Sequence, residues 1–143
     1  MKFLADVNFW LALAFDFHAA HSTAENWFEA NATEGICFCR LTQQAFLRLA
    51  SNPRVMKLDA VSLIEAWKLY DTILKDRRVT FEDEPIGIER QWRAYTQLAT
   101  LSTNVWSDAL LAAFAKTADL EVVTFDRGFS QYRDLKCTIL VST

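Results

Sequence analysis

Three aspartates stand where carboxylate chemistry is easily assembled. Asp6 follows the apolar string Phe3-Leu4-Ala5, and Asp126 follows Val122-Val123-Thr124-Phe125. Each string reads as a buried strand. Asp108 falls near the start of a helix that feeds the second string. Strands separated by helices usually lie parallel in one sheet, so their C-terminal ends share one edge. Open α/β folds bind ligands at that edge. Carboxylates brought together there repel one another, so one must hold a proton or a cation must sit between them. A divalent cation held by aspartates is the simplest arrangement, and it points to phosphate chemistry. Asn8 and Thr124, two residues from Asp6 and Asp126, are small polar groups able to orient carboxylates or bound water. Every one of these residues also has an ordinary structural use. Asp6 and Asp126 read as turn or capping residues, Asp108 as a helix-dipole partner, Asn8 as an N-cap and Thr124 as a strand hydroxyl.

The elements that must position them follow from periodicity and punctuation. Lys2 to Asp6 is predicted as the first strand, with Asn8 capping a helix to about Phe15. A second helix is predicted from about His18 to Asn31, and Ile36 to Cys39 is a short strand. Thr42 is expected to cap a helix with Ala45, Phe46, Leu49 and Ala50 on one face, stopped by Asn52-Pro53. Asp59 is expected to cap the next helix, whose apolar stripe is Leu63, Ile64, Trp67, Tyr70 and Leu74. Arg78 to Phe81 reads as a further strand and 82–85 as a loop. A polar helix over about 87–98 precedes a turn at Ser102-Thr103-Asn104. The helix over about 105–118 then presents Trp106, Leu110, Ala113, Phe114 and Thr117 on one side. Strands at Glu121–Phe125 and Cys137–Val141 close the chain. This order implies an α/β/α sandwich over a mostly parallel sheet.

Composition narrows the function classes. At 143 residues the chain is one domain by length, and 52% hydrophobic content supplies its core without staples. A net charge of -3 gives no global basic footprint for nucleic acid. The local distribution differs: between Ile36 and Leu58 lie Arg40, Arg48, Arg54 and Lys57 and no acid. A cationic patch beside an acidic site suits a polyanion, although charge runs are often only a solvated face. Cys37, Cys39 and Cys137 read as free buried thiols of a reducing compartment, and two histidines, His18 and His21, are too few for a zinc site. The apolar run Phe9–Phe15 is bracketed by Asp6 and Asp16 and is too short to span a bilayer. A cytoplasmic protein without membrane contact is expected. The aromatic pairs Phe9-Trp10 and Trp27-Phe28 exceed what a small core needs, which suggests an interface.

Taken in order, these motifs resemble the PIN-domain ribonucleases, and within them the VapC-type toxins of toxin–antitoxin pairs. The resemblance runs through Asp6-Val7-Asn8 with Leu11-Ala12-Leu13-Ala14, then His21 and Trp27-Phe28. It continues through 41–48 with Ser51-Asn52-Pro53, then Ser107-Asp108-Ala109 and 124–128. It implies a PIN-like three-layer α/β/α sandwich formed as one domain over residues 1–143. The family's acidic quartet carries over to Asp6, Asp108 and Asp126 as catalytic and metal-holding residues. Its fourth position, a glutamate early in the third helix, falls on Gln43, which supplies no charge. The resemblance implies Mg²⁺ (or Mn²⁺) as cofactor and RNA as substrate. Cleavage would leave a 5′-phosphate and a 3′-hydroxyl. Asn8, Thr124, Arg48, Arg127 and also Arg40 are candidates for substrate contact; the arginines are equally suited to a carboxylate of an antitoxin. A homodimer inhibited by a cognate antitoxin is implied as well.

Two other classes fit less well. A phosphatase of the haloacid dehalogenase kind needs a second aspartate where Asn8 stands, and a response-regulator receiver needs an acidic pair after the first strand. A PIN-like module that binds RNA or protein without cutting is the stronger alternative. Gln43 favours it; the three retained aspartates oppose it.

Overall fold

The computed structural model describes residues 2–142. Among them the chain forms five strands and seven α-helices. The strands are β1 (Phe3–Ala5), β2 (Ile36–Phe38), β3 (Val79–Phe81), β4 (Glu121–Thr124) and β5 (Cys137–Ile139). All neighbours pair in parallel, in the order β3-β2-β1-β4-β5. The chain thus builds outward from β1 in one direction, then returns to β1 and builds outward in the other. The reversal lies between β1 and β4, where Leu4 pairs with Val122 and Ala5 with Val123. A crevice opens at such a switch point beyond the strand ends. Asp6 and Asp126 follow those two strands.

Alternation along the strands divides the core into two layers. Ala5, Ile36, Phe38 and Val123 face one side. They pack against α1 (Val7–Ala14), α2 (His21–Asn31), α3 (Arg40–Ala50) and α5 (Leu63–Leu74). Leu4, Cys37 and Val122 face the other, against α6 (Ile88–Tyr95) and α7 (Val105–Ala118). The three-layer α/β/α arrangement expected from the element order is present. The short α4 (Pro53–Met56) joins α3 to α5. Asn52-Pro53 does end α3, and it also starts α4: Asn52 caps the new turn by accepting from the Arg54 N–H at 2.9 Å.

Helix starts differ from the sequence expectation in three places, each for a local reason. Asp6, not Asn8, caps α1, accepting from Val7 N–H at 2.8 Å. Thr42 lies inside α3, where its hydroxyl reaches back to the Cys39 N–H at 3.0 Å. Ser62, not Asp59, caps α5 through a reciprocal pair with Glu65. The α5 stripe is also only partly core. Ala66 and Tyr70 are buried, whereas Leu63 and Ile64 are each 71% exposed. By contrast Phe9, Trp10 and Phe28 are buried, and Trp10 stacks on Phe38 at 4.0 Å. The aromatic bulk read as an interface is core; Trp27 closes it by packing edge-on against Phe3 and Phe9. Helix α7 buries residues almost all round, from Ala109 through Ala115, while the expected core residue Trp106 is exposed. Cys37 and Cys39 are buried free thiols, as expected, and burial pushes the Cys37 thiol up to about 12.

Candidate functional site

An open cleft of about 440 Å³ lies at the switch point, walled by Asp6, Gln44, Arg48, Thr103, Asn104, Ser107 and Asp108, among others. Its strand side is fixed by hydrogen bonds. Asp6 sits directly after β1, and the carboxylate that caps α1 is gripped from its other oxygen by the Thr124 hydroxyl at 2.8 Å. Thr124 ends β4 and has no solvent exposure. Its hydroxyl oxygen also accepts from Asp126 N–H at 3.0 Å and Asn8 Nδ2 at 3.2 Å. Asn8 Oδ1 accepts in turn from the Phe125 N–H at 3.2 Å. Two chain segments more than a hundred residues apart are thus held by neutral side chains on either side of the carboxylates.

Asp126 caps the 3₁₀ turn Arg127–Gln131, its carboxylate accepting from Gly128 N–H at 2.8 Å. A Cβ at Gly128 would stand 3.1 Å from that oxygen, so the close approach suits glycine. Asp108 comes from the start of α7, across the cleft. Its pKa is pushed up to about 6, first by burial and then by the charges of Asp6 and Asp126. Burial also raises Asp6, and Asp126 adds to it, while the hydrogen bonds from Thr124 and Val7 oppose the shift. The three carboxylates therefore feel one another, as the sequence reading required. Asp126 is not part of the cleft wall itself; it acts from the rim.

The donor set is all carboxylate and amide or hydroxyl oxygen, which fits a hard divalent cation and not a soft one. Repulsion among the carboxylates is what such a cation would relieve. No three His, Cys, Asp or Glu side chains among the described residues stand at ligand distance from one point. Asp6 and Asp126 each accept a capping N–H, and a carboxylate engaged in this way retains lone pairs to offer an ion.

The other expected residues fall into two groups. Arg48 reaches the cleft. Arg127 lies on the exposed turn beside Asp126. Arg40 lies over the Phe81 ring, 4.7 Å from its centroid, and donates to Gln43. Thr124 is fully buried, so it positions the carboxylates and cannot itself touch substrate; Asn8 does the same work beside it. Gln43 does not line the cleft. It is 8% exposed and bonds to Arg40 and Tyr70, outside the cleft wall. Gln44, one residue on, lines the cleft together with Asp6 and Asp108. The reason is helical period: Gln43 shares a face with the buried Phe46 and Ala50, Gln44 with Arg48. Thr103 and Asn104 carry no distinguishing signal, being a polar turn before a helix, and Ser107, within the motif beside Asp108, had no role assigned to it. His21 is a packed helix histidine, with Nδ1 2.9 Å from the Ala12 carbonyl and Nε2 3.0 Å from Glu25. Tyr132 was missed as well: its hydroxyl is buried with no hydrogen-bond partner among the described residues, and burial first, then the charges of Asp108 and Asp126, hold its proton on.

No helix among the described residues is long and apolar enough to cross a membrane. Residues 3–135 match the family model described as PIN domain. Ribonuclease VapC41 of Mycobacterium tuberculosis is 41% identical over 142 residues, covering 96% of this chain and 97% of that protein. Ribonuclease VapC38 of the same organism is 31% identical over 134 residues, covering 87% and 85%. Two solved structures share the fold. VapBC2 from Rickettsia felis, bound to a DNA fragment from its promoter, has a TM-score of 0.74 at 15% identity, covering 99% of this chain and 100% of that one. VapC20 of Mycobacterium tuberculosis, described as a sarcin-ricin loop cleaving toxin, has a TM-score of 0.68 at 18% identity, covering 99% and 98%. A PIN pattern matched over nearly the whole length, and close kinship with ribonucleases of the VapC type, establish that this chain belongs to the PIN domain family.

Proposed function

We propose that this chain is a Mg²⁺- or Mn²⁺-dependent endoribonuclease toxin, acting as one PIN-like domain and restrained by a cognate antitoxin. The observation that carries the reading is the meeting of Asp6, Asp108 and Asp126 about the switch point, with Asp108 raised to about 6 first by burial and then by the charges of the other two. Asp6, Asp108 and Asp126 would hold the ion. When bound, it would supply Lewis-acid activation of water and charge neutralisation at the scissile phosphate.

The remaining roles belong to the chain. Thr124 and Asn8 orient Asp6 from behind and keep it aimed at the cleft. Arg48, on the opposite wall, offers a cation to a phosphate oxygen. Thr103, Asn104 and Ser107 offer neutral donors along the same wall, and Arg127 stands outside for a flanking phosphate. Among the described residues no histidine or lysine lines the cleft. Attack by water, leaving a 5′-phosphate and a 3′-hydroxyl, therefore suits this site better than a route through the 2′-hydroxyl. The exposed Leu63, Ile64 and Trp67 of α5 are suited to a homodimer contact, and a cytoplasmic setting accords with the free thiols.

The test is cleavage of a total RNA pool with Mn²⁺ or Mg²⁺ and with chelator, beside Asp126→Asn, with sequencing of 5′ ends. Metal-dependent cuts bearing 5′-phosphates, reduced at least about a hundredfold in the variant, are expected. Cyclic phosphate ends would refute the water mechanism. The second reading, a PIN-like module that binds without cutting, draws on the glutamine at the fourth position, since Gln44 like Gln43 brings no charge. Absence of metal-dependent cutting across the pool would favour it.

A further inference from the structure

Next to the carboxylate cleft lies a second cavity, of about 520 Å³, which the proposed chemistry does not use. The two share Leu41, Gln44 and Leu111 as a common wall. Its floor is apolar: Ile88 from α6, and Leu110, Leu111 and Phe114 from α7. On one side the Arg40 guanidinium lies over the Phe81 ring, 4.7 Å from its centroid, and both residues line the cavity. The rim is acidic. Glu82 is held by Lys2, while the exposed Asp83 and Glu84 have no hydrogen-bond or ion-pair partner among the described residues.

We propose that this cavity is a nucleobase seat, selective for guanine, for a nucleotide flanking the one whose phosphate lies in the carboxylate cleft. The inference rests on the nuclease reading above and adds its specificity. Three features point to a base. The volume suits a nucleoside-sized ligand. Apolar walls with a guanidinium–aromatic stack accept the two faces of a flat ring, the way unstacked RNA bases are commonly bound. The acidic rim repels phosphate, so the backbone must stay in the neighbouring cleft with Arg48 while only the base turns in. The rim also sets which base. Guanine presents two adjacent donors, N1–H and the N2 amino group, on one edge, and a carboxylate accepts both. Adenine, cytosine and uracil offer no such pair.

The test is equilibrium binding of fluorescent five-nucleotide RNAs that differ only in one internal base. It is run in Ca²⁺ with a gel check that the RNA stays intact. Wild-type protein is expected to bind the guanine RNA about tenfold tighter than the other three. Asp83→Asn/Glu84→Gln should erase that preference while leaving affinity for the adenine RNA in place. Leu110→Trp, which fills the floor, should lower affinity for all four. The double variant lies on an exposed loop, so it remains informative if the tryptophan variant fails to fold. Equal affinities for the four RNAs, or no binding of any, overturn the inference. So does a preference that survives the double variant, or variants that lose only binding of an inhibitory protein, which would assign the cavity to a protein side chain. The two readings fail separately: guanine preference without metal-dependent cutting sinks the nuclease, and cutting without base preference at any position sinks the seat.

Discussion

The two walls of the carboxylate cleft are built by different physics. Behind the strand wall, to which Asp6 contributes, Asn8, Thr124 and the rim residue Asp126 join Asp6 in a network of hydrogen bonds at 2.8 to 3.2 Å. On the helix wall, Gln44, Arg48, Ser107 and Asp108 project from α3 and α7 with no such ties to one another. The strand wall is pre-formed before any ligand arrives. The helix wall is shaped by charge and solvent, and Asp108 there is pushed up to about 6, by burial first and then by its acidic neighbours. Altering the strand wall should therefore damage both stability and ion binding, whereas altering the helix wall should trade one against the other.

Thr124→Val is the sharpest way to break that contrast. Valine keeps the shape of the buried side chain but strands three partners: Asp6 Oδ2, Asn8 Nδ2 and the Asp126 N–H. Leaving buried polar groups unsatisfied costs about 2–3 kcal/mol here. Freed from its clamp, Asp6 should also lose roughly tenfold in Mn²⁺ affinity. Urea denaturation and calorimetric titration measure the two losses on one sample. A stable variant with unchanged ion binding would show that the network is ornamental.

A pair of substitutions one residue apart sharpens the comparison on the helix wall. Gln44→Glu places a fourth carboxylate opposite Asp6 and Asp108. It should tighten Mn²⁺ binding about tenfold, roughly 1.4 kcal/mol, and lower the stability of the ion-free protein. Gln43→Glu should leave ion binding unchanged, because its side chain turns to Arg40 and Tyr70. The reverse pattern in calorimetry would return the fourth position to Gln43.

That pair also marks how far the sequence could be read. The strands ending on Asp6 and Asp126, the parallel sheet and the helix carrying Asp108 were legible, because β-strand and helix periods separate cleanly in apolar runs. The choice between two adjacent glutamines was legible too. Phe46 and Ala50 were recognised as a core face, and Gln43 lies three residues before Phe46. The exposed part of α5 was not legible, since an apolar stripe reads the same whether it meets a sheet or solvent. Nor were Thr103, Asn104 and Ser107, whose place in the wall depends on how the approach to α7 returns to the strand edge. Caps were misplaced because several short polar residues cluster at each helix start and only one can reach the free N–H groups.

Asp108→Asn is read by the sign of its effect more than by its size. The folded chain holds the Asp108 proton up to about pH 6, against 3.8 for the free carboxyl. Folding therefore suffers no cost from this group below about pH 4. The cost appears as pH rises through the interval from 4 to 6, and is complete above it. Asparagine removes that cost. At pH 7.5 and without divalent ions the variant should be more stable than the parent by about 1–2 kcal/mol, after allowing for solvent screening of a half-buried group. At pH 4 the two should converge. Adding Mg²⁺ should narrow the gap at pH 7.5 by stabilising only the parent, which keeps all three carboxylates. Thermal melts at the two pH values, with and without the ion, give all of these comparisons. A gap of the same size at both pH values would mean that asparagine changes packing and that the three carboxylates do not repel one another across the cleft.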